Sequence, residues 1–184
     1  MKFKLAISLI LLAALSRLLP HPDNFAPIGA MGLFGASYLG RRWMAFAIPF
    51  SALFISDLIL NNVVYRDYFD GFTLITSWWI YAAFGLTILL GWAALHGRKF
   101  DPGRVAIASF SASLLFFVIT NFGHWADYNM YPKTGAGLVA CYTAALPFLK
   151  NTIAGDLFFS AVLFGVYEWR NRSQPSAVKT HLKQ

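Results

Sequence analysis

Apolar residues along this chain fall into long runs, and short polar breaks between the runs carry nearly all of the charge. The first run, Phe3 to Leu19, follows Lys2 and Lys4 and ends at Pro20. A basic start before LAISLILLAAL would also suit a secretory signal peptide. Further runs follow, however, and no small-x-small cleavage site precedes a soluble domain, so we read a retained span. Prolines at 20, 22 and 27 then enforce an extended turn. The second run, Ile28 to Leu39, is short and rich in small residues. Gly32, Ala36 and Gly40 fall four apart, a face that lets another helix approach closely. The third run, Trp43 to Leu60, contains Pro49 and carries Asp57 in its last turn. A polar, aromatic loop, NNVVYRDYFDG, leads to the fourth run, Phe72 to Leu95. The basic loop HGRKFDPGR precedes Val105 to Ile119, and Thr152 to Trp169 forms the last span. Each run reaches or approaches the ~20 residues that cross a bilayer, or is short enough to sit inside a bundle.

Composition strengthens this picture. Of 184 residues, 58% are hydrophobic and 12% charged, against about 25% charged in a soluble domain. The expected fold is all-α: a polytopic integral membrane helical bundle in one domain, residues 1–170, followed by a basic tail, 171–184, without fixed structure. The net charge of +7 does not argue for nucleic acid, because the basic residues flank apolar runs. With six transmembrane helices and a cytoplasmic N-terminus, 11 of the 15 Lys and Arg lie inside and 4 outside. That bias places both termini in the cytoplasm. It also decides the status of Gly135 to Leu149. Those 15 residues are apolar, but a seventh span would export the basic tail. Pro147 and Lys150-Asn151 leave almost no turn before the next helix, so this stretch is expected to be a short outer re-entrant or surface helix.

Polar residues then converge on the outer side. Asp57 and Asn61 are four apart on one helix face. Asn121 closes the fifth span, and His124, Trp125, Asp127 and Tyr128 follow it. Asn151 precedes Asp156 by five residues, ~7.5 Å along a helix. A carboxylate inside a membrane is costly unless paired or hydrated, which makes Asp57 and Asp156 the sharpest signals. Two readings stay open for them. They could anchor a ligand, or they could satisfy helix ends and pair with Arg17 and Lys150. The tryptophans and tyrosines fit an interfacial belt as well as a binding box. Cys141, the single cysteine, sits among small residues and reads as packing. His21 and His124 have no partner at metal-ligand spacing, so neither a metal nor another cofactor is expected. No CxxC, HExxH, GxxxxGK[ST] or GxSxG motif occurs.

The strings LPHPDNFAPIGAMGLFGASYLG, TNFGHWADYNMYPKT and PFLKNTIAGDLFF resemble an uncharacterised bacterial membrane-protein family. The overall pattern is similar to the substrate-binding S-component of energy-coupling-factor vitamin transporters. That resemblance implies a six-span bacterial inner-membrane protein whose outer loops enclose a vitamin or precursor, with an energising ATPase module as partner. S-components dock that module through alanines four apart on the first helix, whereas here no two alanines of that span are four apart. The Gly32/Ala36/Gly40 face could substitute. The function expected is therefore small-molecule binding and transport, not catalysis. Asp57, Asn61, Asn121, Asn151 and Asp156 would act as anchors, with His124, Trp125, Asp127 and Tyr128 in a lid spanning 122–149. The alternatives are an accessory subunit of a membrane complex, or an aspartyl enzyme built on Asp57 and Asp156.

Overall fold

The computed structural model describes residues 2–173, and these form an all-α bundle. Six α-helices succeed one another: α1 (Lys2–Ser16), α2 (Ile28–Tyr38), α3 (Arg42–Ile59), α4 (Trp78–Leu95), α5 (Pro102–Asp127) and α6 (Gly135–Arg172). The tail beyond Ser173 lies outside the described residues. Among the described residues, four helical segments are long and apolar enough to cross a membrane: Arg42–Val64, Trp78–Leu95, Pro102–Asp127 and Gly135–Arg172. These are the helices of a membrane protein. At 15 and 11 residues, α1 and α2 are shorter than a full crossing requires.

The architecture is five helices around a sixth. The eight residues Gly29–Ala36 are all buried, and α2 touches every other helix of the bundle. A helix buried all round needs small residues wherever a neighbour's backbone or bulky side chain presses in. Here glycines supply that space, three apart rather than four. A Cβ on Gly29 would meet the Asp156 carboxyl of α6, one on Gly32 would meet Phe84, Thr87 and Ile88 of α4, and one on Gly35 would meet Pro49 of α3. Steps of three residues rotate the contact by about 60° along the helix, so each glycine faces a different neighbour. The expected 32/36/40 face is thus occupied by the bundle itself: Ala36 packs on Gly91 of α4, leaving no room there for a docking module. Gly40 instead ends the helix, with φ of 70° that favours glycine.

At one end of the bundle lie Lys2, Lys4, Arg41, Arg42, Arg98, Lys99, Arg104, Arg170 and Arg172, all at helix ends or in the two short turns. Beside them an aromatic cluster of Phe34, Tyr38, Phe164 and Tyr167 ties α2 to α6. The Tyr38 and Tyr167 ring centroids are 4.0 Å apart, and the Tyr38 hydroxyl donates to Glu168 at 2.7 Å. The opposite end carries the longer connections.

Three boundaries differ from those expected. The third run does not stop at Leu60 but continues through a π-turn, Leu60–Val64, closed by Tyr65 N–H donating to the Leu60 carbonyl at 2.7 Å. The fourth begins at Trp78, where Ser77 accepts from the Trp79 N–H. The largest change is at the chain's end. No separate re-entrant helix exists: Gly135 to Arg172 is one helix of 38 residues that passes through Pro147 without a break. Proline removes one hydrogen bond, and the turn N-terminal to it is held from outside. Tyr142 donates to the Val118 carbonyl at 2.6 Å, and Cys141 Sγ lies 3.6 Å from the Asn121 carbonyl. At about 57 Å, α6 is nearly twice the thickness of a hydrocarbon core. Its first half therefore forms, with the end of α5, a hairpin that continues beyond the bundle.

If α2 is the tightly packed centre, Gly35→Val should destabilise the protein by about 1–3 kcal/mol through overpacking against Pro49. Gly165→Ala, where a Cβ meets nothing within 4 Å, should leave the thermal midpoint unchanged or raise it. Thermal unfolding in detergent compares the two.

Candidate functional site

Helix N-termini leave backbone N–H groups without intrahelical partners, and in a membrane these must find acceptors. For α4, α5 and α6 the residue before the helix does this locally, through the side chains of Ser77, Asp101 and Thr134. For α2 the preceding residue is Pro27, which has no side-chain acceptor. The acceptor comes from α6 instead. Asp156, 2% exposed, takes the Ala30 N–H on Oδ1 at 3.2 Å and is also bonded by the Gly29 backbone. Its Oδ2 accepts from the Ser113 hydroxyl of α5 at 2.7 Å. One turn further along, Ser160 bonds Ser109 at 3.3 Å. Asp156 thus caps the central helix across 126 residues of sequence and ties α5 and α6 to it.

Asp57 is held differently. Arg17, at the end of α1, donates to Asp57 Oδ1 at 2.7 Å, and Tyr81 of α4 donates to Oδ2 at 2.8 Å. Arg17 also bonds Ser56 and the Leu53 carbonyl. All of these groups are buried or half-buried, so this ion pair joins α1, α3 and α4 inside the bundle. Neither carboxylate hydrogen-bonds to the other, and each has both oxygens engaged. Of the pairings the sequence suggested, the one between Asp57 and Arg17 is found and, among the described residues, one with Lys150 is not, while Asp156 satisfies the start of α2.

Between the two polar knots lies a cavity of about 500 Å³. Its lining takes Arg17 from α1, and His21, Asp23, Asn24 and Ala26 from the proline-rich turn. Ile28 and Gly29 come from the start of α2, Leu60 and Tyr65 from the π-turn, Ile80 from α4 and Phe116 from α5. Phe148, Thr152 and Asp156 come from α6. The space exists because α6 leaves α5 between two points of contact, Tyr142–Val118 and Asp156–Ser113. Across that interval α6 advances 14 residues while α5 spans only 5. The turn at 20–27 closes one side. Asn151 Nδ2 holds it at the Asp23 carbonyl, 2.9 Å away, and Phe25 packs between Phe158 and Phe159, each ring centroid 5.8 Å distant.

Of the residues expected to anchor or cover a ligand, Asp156 alone lines this cavity. Asn151 secures its covering turn from behind. Asn61, in the π-turn, accepts from the Thr76 hydroxyl at 3.0 Å. Asp57 sits in the ion-pair knot with Arg17, and the others belong to the end of α5 and the tip of the α5–α6 hairpin. Asn121 bonds back to Phe117, and Asp127 accepts from the Trp79 indole at 2.9 Å. The His124 ring lies against those of Tyr128 and Tyr131. Trp125 donates to the Pro132 carbonyl at 2.9 Å, while Lys133 caps the end of α5 by bonding the carbonyls of Trp125, Ala126 and Tyr128. This cluster fastens a hairpin tip, while Phe148, near the end of the expected 122–149 lid, lines the cavity.

Several residues of the site carried weaker signals. Ser109 and Ser113 on α5 share the four-residue spacing of Asp156 and Ser160 on α6, a pattern that marks a polar seam between two helices. Gly123, whose Cα supports the Trp79 indole, and Asn62, which bonds the Thr73 backbone in both directions at 2.8 and 2.9 Å, gave none.

A family model described as "Family of unknown function (DUF6580)" matches residues 1–178, and the chain belongs to that family. No curated protein and no solved structure matches it.

The capping role makes Asp156 sensitive to shape as well as charge. Asp156→Asn keeps a carbonyl acceptor and should cost about 1–2 kcal/mol. Asp156→Leu, which strands the Ala30 N–H and the Ser113 hydroxyl, should cost about 3 kcal/mol or more. For the other knot, Arg17→Met alone should cost about 3–5 kcal/mol, and the double variant R17M/D57L should recover most of it. Equilibrium unfolding in detergent provides the readout for all four.

Proposed function

We propose that this protein binds a small water-soluble molecule in the cavity beside the start of α2 and serves as the substrate-binding part of an uptake system. In this it would be similar to an energy-coupling-factor S-component. The observation that supports the reading is the cavity itself. Its volume, about 500 Å³, falls within the ~300–1,000 Å³ of ligand sites, and its walls combine apolar surface with a few polar groups. Leu60, Ile80, Phe116 and Phe148 offer apolar surface to a ring. Arg17, His21, Asp23, Asn24 and Thr152 offer hydrogen bonds. Arg17 has five donors, and its bonds to Leu53, Ser56 and Asp57 leave others for a carboxylate or carbonyl of the guest.

The direction of uptake follows from charge. The basic end of the bundle faces the cytoplasm of a bacterial inner-membrane protein under the positive-inside rule, so the cavity opens outward. The gate in this reading is the turn at 20–27, three prolines held by one side-chain hydrogen bond from Asn151 and by Phe25 against Phe158 and Phe159, rather than the hairpin tip. Asp57 and Asp156 support binding by shaping the cavity and positioning Arg17, not by reacting. This is a reading of transport in place of catalysis.

A panel of water-soluble vitamins and their precursors, screened by thermal shift on the full-length protein in detergent, tests the proposal. At a hundredfold excess over Kd, a true ligand should raise the midpoint by about 5–10 °C. Thr152→Trp, which fills the cavity, should remove the shift. Trp125→Ala, at the hairpin tip, should retain it. A panel without any shift, or a shift indifferent to Thr152→Trp, would count against the proposal.

A further inference from the structure

Toward the basic end of the bundle, α5 and α6 border a groove of about 220 Å³. Its lining is almost wholly apolar. Ala106, Ala161 and Gly165 are exposed small residues, and a Cβ on Gly165 would meet nothing within 4 Å. Phe100, Leu157 and Phe164 form the walls. The small residues on this floor leave a slot that one flexible hydrocarbon chain can fill.

The groove does not end blindly. Phe100, Val105 and Phe164 also line a small recess at the α4–α5 turn, and the rest of that recess includes Ser37, Tyr38, Asp101, Arg98, Lys99 and Arg104. Arg98 and Lys99 are exposed, Arg104 is half-buried, and among the described residues none of the three is paired with a carboxylate. Asp101, the one acid present, already accepts the Arg104 backbone N–H with Oδ1 at 2.9 Å, as the cap of α5. Arg98 and Arg104 reach only backbone carbonyls, at 3.4 Å each. Three cations at the membrane surface, next to an apolar channel leading into the hydrocarbon, form a site for a molecule with an anionic head and an acyl tail.

We infer that this protein holds an anionic phospholipid from the leaflet at its basic end, with the phosphate at Arg98, Lys99 and Arg104 and one acyl chain in the α5–α6 groove. The charge complementarity selects the headgroup, and the open floor at Gly165 admits the chain. The site lies at the opposite end of the bundle from the cavity beside α2 and does not depend on what that cavity binds.

Native mass spectrometry of the full-length, delipidated protein in detergent tests this, with dioleoyl phosphatidylglycerol and dioleoyl phosphatidylcholine added at equal concentrations. Phosphatidylglycerol should bind about tenfold more tightly. The R98Q/K99Q/R104Q variant should reduce it to the level of phosphatidylcholine, while R41Q/R42Q, on the neighbouring turn, should preserve the preference. Gly165→Leu, with thermal unfolding confirming the fold, should weaken phosphatidylglycerol at least about threefold, and Ala161→Leu should do the same. Equal binding of the two lipids, or an equal loss in R41Q/R42Q, would overturn the inference. So would full retention in both groove variants, or displacement of the lipid by an equal concentration of glycerol 3-phosphate.

Discussion

A helix that begins inside a membrane protein must have its first N–H groups satisfied by something other than water, and α2 begins there. Its own preceding residue, Pro27, offers no side-chain acceptor. Asp156 of α6 supplies one, and the approach is possible only because Gly29 has no side chain to stand in the way. Much else follows from this contact. It places α6 against the start of α2, recruits Ser113 of α5 as the second donor, and so sets the register of the α5–α6 pair. A carboxylate that would be costly alone in hydrocarbon becomes the joint of three helices. The Arg17–Asp57–Tyr81 knot is its counterpart for α1, α3 and α4.

The cavity is a by-product of these two joints. α6 contacts α5 at Tyr142 and again at Asp156, and the interval between is too long to follow α5 closely. Phe148 and Thr152 border the gap that results, and the proline-rich turn, unable to become helix, covers its side. Polar knots stand on either hand, and the turn is held on α6 by Asn151 and by Phe25 between Phe158 and Phe159. The separate groove at the basic end lies between α5 and α6 over Ala106, Ala161 and Gly165. Both spaces border α5 and α6, the helix pair with the most extensive contact in the bundle.

The helical class and most of the helices were legible in the runs of apolar residues, because burial in lipid imposes a strong and simple pattern. The importance of Asp57 and Asp156 was legible for the same reason, since charge in such runs needs a cause. Their partners were not. The sequence places Arg17 forty residues from Asp57 and Ala30 126 residues from Asp156, and no local period links them. The break expected near Pro147 was a reasonable inference from proline chemistry, yet Tyr142 and Cys141 hold the preceding turn on α5 and the helix continues. Residues 121–128 looked like binding groups because they are polar and aromatic. The same composition suits a hairpin tip that must close on itself through Lys133, Trp125 and Asp127. Composition cannot separate those two uses; only the position of the α6 axis does.

The central claim is that the Asp156 carboxyl sits in the space left by Gly29 and caps α2. A double-mutant cycle on unfolding free energy, pairing Gly29→Ala with Asp156→Ala in the full-length protein, tests it most directly. Because a Cβ on Gly29 would lie 2.5 Å from an Asp156 oxygen, Gly29→Ala should be costly in the native background and nearly neutral once Asp156 is Ala. The coupling should then be about 1–3 kcal/mol. Additive effects of the two substitutions would contradict the account.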